Sequence, residues 1–513
     1  MLNTIPSCCF GAWNVLLLAI ALGGASFAIQ RRQGINLADE GFLWYGAQQT
    51  ARGKVPLRDF QAYDPGRYYW SAIGILFLGQ GLVALRFSET VFQAVGLWAG
   101  LLTASRIAQD WTLLAAVGLM LTLWMVPSFK HFDGTLLLCG IWVAVRLIEQ
   151  PSAGRIFEAG FFVGLCVFFG RNHALYNFLA QASLLLLVYF KLRPPLFMLD
   201  LGMWLAGTVV GLMPMIVLFV CIAGFPASYI ESIRSILRHG TNLALPVPWP
   251  WRVSPNSAGG SKQFVLGIFL VILPLAYVAG VTVSLFMRSQ MIKDDALFIA
   301  CAFVGLSYLH YAFSRADFTH LAQAIHPFAL GALALVDVVG APKLCYWAVT
   351  IVLSAAALFT VGRQMPVYQR LTSMTPWVPC HVGDKIFVHP FISGLITCLR
   401  TFASENIAPE EGVLILPFTP ALYSILGHES PLWNLVCYFP ATTHQQRAMI
   451  HEVTARNVNW AVIWDTALDN REDRRFSVTH DLVWDYLMQN FEPAKTTCLP
   501  RSWQILRRKN PAE

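Results

Sequence analysis

Twelve runs of mostly apolar residues occupy the first 361 positions, each close to the ~20 residues that cross about 30 Å of hydrocarbon. They lie at 13–30, 68–85, 91–108, 111–129, 134–148, 157–170, 175–192, 199–223, 264–286, 296–313, 322–339 and 346–361. Short polar stretches separate them, so the pattern predicts membrane helices joined by loops rather than an aqueous core. From about Gly362 the rhythm changes. GVLILPF at 412–418 and WAVIW at 460–464 read as buried strands, and 445–456 between them has helical character. That strand, helix, strand order predicts a crossover unit. The fold expected is a polytopic α-helical membrane protein with a C-terminal mixed α/β soluble domain. Residues 1–361 form the membrane region and 362–513 the soluble domain. If the start is cytoplasmic and the tail outside, the number of spans is odd; 11 to 13 are expected.

Composition agrees with that division. Of 513 residues, 56% are hydrophobic and only 13% charged, about half the charge of a soluble protein. Charged side chains come about once in ten residues up to Val361 and about once in five beyond it. The net charge of +7 belongs to the membrane region, since acidic and basic residues balance in the tail. No basic stripe or binding motif accompanies it, which excludes a nucleic-acid partner; membrane-surface charge is the reading that remains. Eleven cysteines show neither C-x-x-C pairs nor Cys/His zinc spacing, so no structural metal is expected. Cys139, Cys166, Cys221, Cys301 and Cys345 sit in apolar runs as small core residues. Cys380, Cys398, Cys437 and Cys498 in the tail could pair in an oxidising compartment.

The loop after the first run, 31–67, is too long and too polar for a bare connector. Asp39 and Glu40 fall within about ten residues of the first predicted helix, which places carboxylates at the membrane–water boundary, where desolvation is costly and ionisable groups tend to be functional. Alternatively, Asp39 is a cap, accepting from the free N–H groups of a helix beginning near Glu40. A cap would not account for Arg58, Asp59, Asp64 and Arg67, nor for the Pro65-Gly66 break that follows. A second group is FKHFDGT, with Lys130, His131 and Asp133. Two more, GRNHALYN with Arg171 and His173 and SRADFTHLAQAIHP with Arg315, Asp317, His320 and His326, again set ionisable groups against apolar walls. A carboxylate can act as a base when burial raises its pKa, and guanidinium forks suit phosphate. Structural readings stand beside these: snorkelling charges at 130–133, and an Arg315–Asp317 ion pair.

Taken together, an Asp-Glu pair after the first run, G-x-V-P-x-R-D-F, D-P-G-x-Y-Y, H-F-D-G, G-R-N-H and S-R-A-D-x-x-H-L resemble the integral-membrane C-type glycosyltransferases. The resemblance spans essentially the whole chain. It is closest to the bacterial relatives of protein mannosyltransferases and of the lipid A aminoarabinose transferase. It implies a cytoplasmic N-terminus in the bacterial inner membrane, an outward first loop and C-terminal domain, and sugar transfer from a polyprenyl-phosphate donor. Arg31 and Arg32 pull the other way under the positive-inside rule. By the same resemblance Asp39 matches the catalytic base, Glu40 its acidic neighbour, and Asp133 the second acidic position. Arg67, Lys130, His131, Arg171, His173, Arg315 and His320 are candidates for the donor phosphate, matched by chemistry more than by motif. One departure stands out: some relatives follow the acidic pair with Arg-Tyr-Ala, whereas this chain has Gly41, Phe42, Leu43, Trp44 and Tyr45.

The function expected is therefore an inverting membrane glycosyltransferase whose acceptor is a lipid, polysaccharide or protein. A lipid flippase or transporter with the same buried charges, or a catalytically silent assembly partner, are the alternatives. No cofactor is demanded; lone carboxylates could hold a divalent cation, but no ligand cluster requires one.

Overall fold

The computed structural model describes residues 10–192, 197–239 and 243–509. The helices in chain order are α1 (Ala12–Gln30), α2 (Asp39–Ala51), α3 (Pro65–Leu78), α4 (Leu82–Ala104), α5 (Trp111–Trp124), α6 (His131–Glu149), α7 (Ala153–Phe169), α8 (Arg171–Leu192), α9 (Phe197–Gly211), α10 (Met213–Cys221), α11 (Phe225–His239), α12 (Gly260–Phe286), α13 (Ser289–Asp294), α14 (Ala296–Ser314), α15 (Phe318–Ala322), α16 (His326–Val338) and α17 (Leu344–Phe359). Each of the twelve apolar runs overlaps one of these helices. Among the described residues, six helical stretches are long and apolar enough to cross a membrane: α1, Ser128–Glu149, α8, α12, α14 and Leu344–Gln364. The pair Met198–Gly211 and Met213–Cys221, bent by 51°, makes a seventh if it is one broken span, and α5 and α16 are shorter apolar helices. The protein is thus a polytopic helical membrane protein with a small C-terminal sheet region.

Contacts gather the chain into two units, neither of them continuous in sequence. The first holds residues 1–30, 86–223 and 244–368; the second holds 31–85, 224–243 and 369–513. The loop after α1 belongs to the same unit as the tail.

In the first unit α6 is central. It packs against α7, α8, α14 and α16, and most of its side chains are buried. Helices α7 and α9 pack backbone to backbone, and the cause is two small-residue seams, Gly160-x-x-x-Gly164 and Gly207-x-x-x-Gly211. A Cβ at Gly160 would overlap the Trp204 carbonyl, one at Gly164 the Thr208 carbonyl, and one at Gly211 the Phe161 carbonyl. Small residues at four-residue spacing let membrane helices approach backbone to backbone. Gly164→Val is therefore expected to cost about 1–3 kcal/mol by overpacking. Gly154, where a Cβ would meet nothing, supplies the control: thermal melting in detergent should drop for Gly164→Val and stay level for Gly154→Val.

In the second unit β1 (Val378–His381) and β2 (Lys385–Val388) form an antiparallel hairpin. A four-stranded sheet follows, with β3 (Gly412–Leu416), β4 (Val458–Trp464), β5 (Phe491–Pro493) and β6 (Trp503–Arg508) in the order β3-β4-β6-β5. β3 and β4 run parallel with helix Thr443–Ala455 between them in sequence, the crossover expected from the two apolar runs. A full capping box starts that helix: Thr442 accepts from the Gln445 backbone N–H, and Gln445 accepts from the Thr442 N–H. The core beneath the sheet includes Leu414, Leu416, Met449, Val453, Ala461, Ile463, Phe476 and Leu487. Cys398 and Cys498 are bonded, with Cα atoms 5.8 Å apart, while Cys380 and Cys437 remain free thiols.

His480 is buried against this core. Its ring stacks on Phe476 at 4.8 Å, and its Nδ1 lies 3.0 Å from the Thr479 hydroxyl. Burial pushes it down to about 4 from its ordinary 6.5, with Asp481 opposing weakly. Between those values only the unfolded chain binds the proton, so stability is lost as pH falls from about 6.5 towards 4, by up to ~3 kcal/mol. Protection factors of the β4 amides in the full chain, taken against the intrinsic exchange rate at each pH, should therefore fall between pH 6.5 and 4.5, and His480→Gln should flatten that dependence.

Candidate functional site

The start of α2 follows from the sequence N-L-A-D-E. The Asn36 side-chain oxygen accepts from the N–H groups of Ala38 and Asp39, both at 2.9 Å. Glu40, nearly fully buried, reaches back to accept from the Asn36 N–H at 3.1 Å. This is the reciprocal logic of a capping box, carried by Asn36 and Glu40. Ala38 occupies the cap position and supplies no side-chain bond. The cap offered above as the alternative role for Asp39 is therefore made by its neighbours. Within its unit, among the described residues, the half-buried Asp39 carboxylate has no hydrogen-bond partner, and it sits in the first turn, where the helix dipole favours negative charge.

Gly41 shows why the acidic pair is followed by glycine here. A Cβ at this position would stand 2.5 Å from Ala421, because α2 lies directly on helix Ala421–Leu426. Further along, the Ser430 N–H donates to the Tyr45 hydroxyl at 2.8 Å. The Trp433 indole donates to the Leu57 carbonyl at 3.0 Å, and Gln61 accepts from the N–H groups of Leu435 and Val436, both at 2.9 Å. These bonds hold the first loop rigidly against the tail.

The other charges of that loop are committed to its folding. Arg58 donates twice to Asp59, both bonds 2.8 Å, and Asp59 also accepts from the Val55 N–H at 2.7 Å. The Arg58 guanidinium outweighs partial burial and holds Asp59 below the usual carboxylate range. Asp64 caps α3 through its backbone, and the buried Arg67 lies over the Tyr63 ring at 5.7 Å.

In the first unit the three remaining motifs converge. Asp133, at the start of α6, and His173, in the first turn of α8, are fully buried and meet at 2.7 Å through His173 Nε2. The other ring nitrogen lies 2.9 Å from the Tyr308 hydroxyl, to which Asn177 also donates at 3.0 Å. The His173 ring is 5.6 Å from Tyr311, and Tyr311 is 5.8 Å from His320. His320 Nδ1 is 2.8 Å from Asp317, which accepts from Arg315 Nε at 2.8 Å and caps α15 through the His320 N–H. Burial pushes Asp317 up, but bonds from His320 and Arg315 win and leave it below the ordinary value. A continuous polar and aromatic path therefore runs from buried Asp133 to partly exposed Arg315. Lys130 and Arg171 are half-buried at the starts of α6 and α8, and His131 is buried.

Of the residues singled out in the sequence, Asp39, Glu40 and Arg67 belong to the second unit, and Lys130, His131, Asp133, Arg171, His173, Arg315 and His320 to the first. Tyr308 and Tyr311 went unnoticed because an aromatic pair inside an apolar run reads as core, and Asn177, the last residue of GRNHALYN, was given no role. The available clue was Tyr308 and Tyr311 at helical spacing, immediately before S-R-A-D. Among the described residues no group of three or more His, Cys, Asp or Glu is placed to hold a metal ion.

No protein-family model and no curated protein sequence matches the chain. Among solved structures it is similar to apo ArnT from Cupriavidus metallidurans, at 13% identity over 96% of both chains with a TM-score of 0.48. It is also similar to the same protein bound to undecaprenyl phosphate, at 14% identity over 96% of this chain and 97% of that one, TM-score 0.41. A third is the archaeal oligosaccharyltransferase AglB from Archaeoglobus fulgidus in complex with an inhibitory peptide and a dolichol-phosphate. There the identity is 12% over 88% of this chain and 69% of that one, with a TM-score of 0.41.

Proposed function

We propose that this protein is an integral-membrane glycosyltransferase of the C type, which moves a sugar from a polyprenyl-phosphate donor to a hydroxyl-bearing acceptor at the outer membrane face. The observation that carries the reading is the state of Asp39: its neighbours cap α2, its carboxylate is left without a partner in its unit, and the loop behind it is fixed to the tail. A rigidly placed, uncommitted carboxylate is what a base toward an acceptor hydroxyl requires.

In this reading Asp39 takes the acceptor's proton as the acceptor oxygen bonds to the anomeric carbon. The bond from that carbon to the phosphate oxygen breaks on the opposite side, the polyprenyl phosphate departs with the electron pair, and the anomeric configuration inverts. Charge develops on the leaving phosphate, and preorganised cations that neutralise it lower the barrier. Arg171, Arg315 and Lys130 are assigned to that task, with His320 beside them. Asp133 and His173 are positioning residues, since both ring nitrogens of His173 are engaged inside the protein. A donor of known anomeric configuration tests the mechanism. The product linkage, read by NMR, should be inverted; retention would exclude a single displacement from the face opposite the phosphate and contradict this mechanism.

A further inference from the structure

A second polar site lies in the first unit, at the far end of α6 from Asp133. The 19 residues of α6 rise about 28 Å, close to the thickness of the hydrocarbon layer, so its two ends mark opposite membrane boundaries. Where α4 and α6 finish and α7 begins, a cavity of about 560 Å³ opens, lined by Trp142, Arg146, Glu149 and Gln150 from the end of α6, with Arg106 and Arg155. Its arginines are held in place by two carboxylates. Arg106 donates to both Glu149 oxygens and, at 2.6 Å, to the Leu102 carbonyl. Glu158 alone serves the other two, with Arg146 Nη1 at 3.1 Å from one oxygen and Arg155 Nη1 at 2.9 Å from the other. The Arg146 guanidinium lies 4.1 Å over the Trp142 ring.

This arrangement exceeds what the loop needs. Three guanidiniums face two carboxylates, leaving one positive charge uncompensated. Each guanidinium offers five N–H donors, yet among the described residues Arg146 and Arg155 each commit one nitrogen, to a shared partner. Both are about a quarter exposed, at 21% and 31% of the side chain, so their remaining donors border the cavity. A pair of planar forks matches phosphate oxygens, an aromatic ring at this depth suits the membrane interface, and basic pockets between membrane helices take anionic headgroups. We infer that this cavity binds the phosphate of an anionic membrane phospholipid, on the membrane face opposite Asp133. The site is independent of the transfer chemistry proposed above.

The test uses the full chain, purified in detergent and placed in nanodiscs of phosphatidylcholine with or without phosphatidylglycerol, with retained lipid counted by native mass spectrometry. Phosphatidylglycerol should be retained in preference to phosphatidylcholine. Arg155→Gln, which leaves the Arg146–Glu158 pair intact, should weaken that retention roughly five-fold, and Arg146→Gln with Arg155→Gln roughly 25-fold. A parallel arm titrates inorganic phosphate without added lipid. Phosphate binding lost in the double variant, with no preference among lipids, would assign the cavity to a free anion and overturn the lipid assignment. Equal retention of both lipids, or unchanged retention by a folded Arg155→Gln variant, would overturn the site itself.

Discussion

Substituting Asp39 with asparagine is expected to lower sugar transfer by about 10²–10⁴-fold, the range that a positioned general base contributes, while the variant accumulates in the membrane at the wild-type level. The asymmetry follows from the geometry of α2. The asparagine has the same shape, and within the unit the carboxylate gives up no hydrogen bond, so folding has little to lose. Glu40→Gln supplies the contrast. Glu40 accepts from the Asn36 N–H and is buried, so its replacement should cost about 1 kcal/mol of stability as a weakened cap and affect transfer only through the entry to α2. Initial rates normalised to folded protein, measured by size-exclusion chromatography, separate the two. A stable Asp39→Asn variant with wild-type rates would remove the base assignment.

The second large effect is structural. Asp133→Ala is expected to destabilise the membrane unit by about 3–5 kcal/mol, the cost of breaking one side of a buried, closely hydrogen-bonded pair, and so to lower the yield of folded protein. His173 would keep its Tyr308 partner at 2.9 Å but lose the carboxylate at 2.7 Å. Replacing both residues by leucine removes the pair together and should recover part of the loss. Tyr308→Phe deletes the hydroxyl that meets both His173 and Asn177, at a cost of about 1–3 kcal/mol. Thermal melting in detergent ranks the three. An Asp133→Ala protein that melts with the wild type would show that the pair does not hold the unit together.

These two residues also show what the sequence could reveal. The apolar runs and the GVLIL and WAVIW strands were legible because burial imprints a local pattern, read over a few residues at a time. Asp39 and Asp133 were legible because charges are scarce near apolar runs. Their roles in the fold were not. A cap was the alternative reading of Asp39, yet Asn36 and Glu40 make it, since the Asn36 side chain reaches the N–H groups of Ala38 and Asp39. The joining of residues 31–85 with the tail rests on bonds such as Gln61 to Leu435 and Val436, more than 370 positions apart, and no local pattern records them. The convergence of H-F-D-G, G-R-N-H and S-R-A-D-x-x-H-L depends on Tyr308 and Tyr311, whose hydroxyl and rings lie within an otherwise apolar helix. The α7–α9 seam went unread, because two G-x-x-x-G spacings carry meaning only once the fold pairs one with the other.

The most direct measurement follows a labelled sugar. Full-length protein in proteoliposomes is given a polyprenyl-phosphate donor tritiated in the sugar, and the label and the polyprenyl phosphate are tracked together. The account predicts that label passes to an acceptor in membrane extracts while one polyprenyl phosphate is released per sugar, and that Asp39→Asn stops both. Intact donor crossing the bilayer with no release of polyprenyl phosphate would identify a flippase and contradict it.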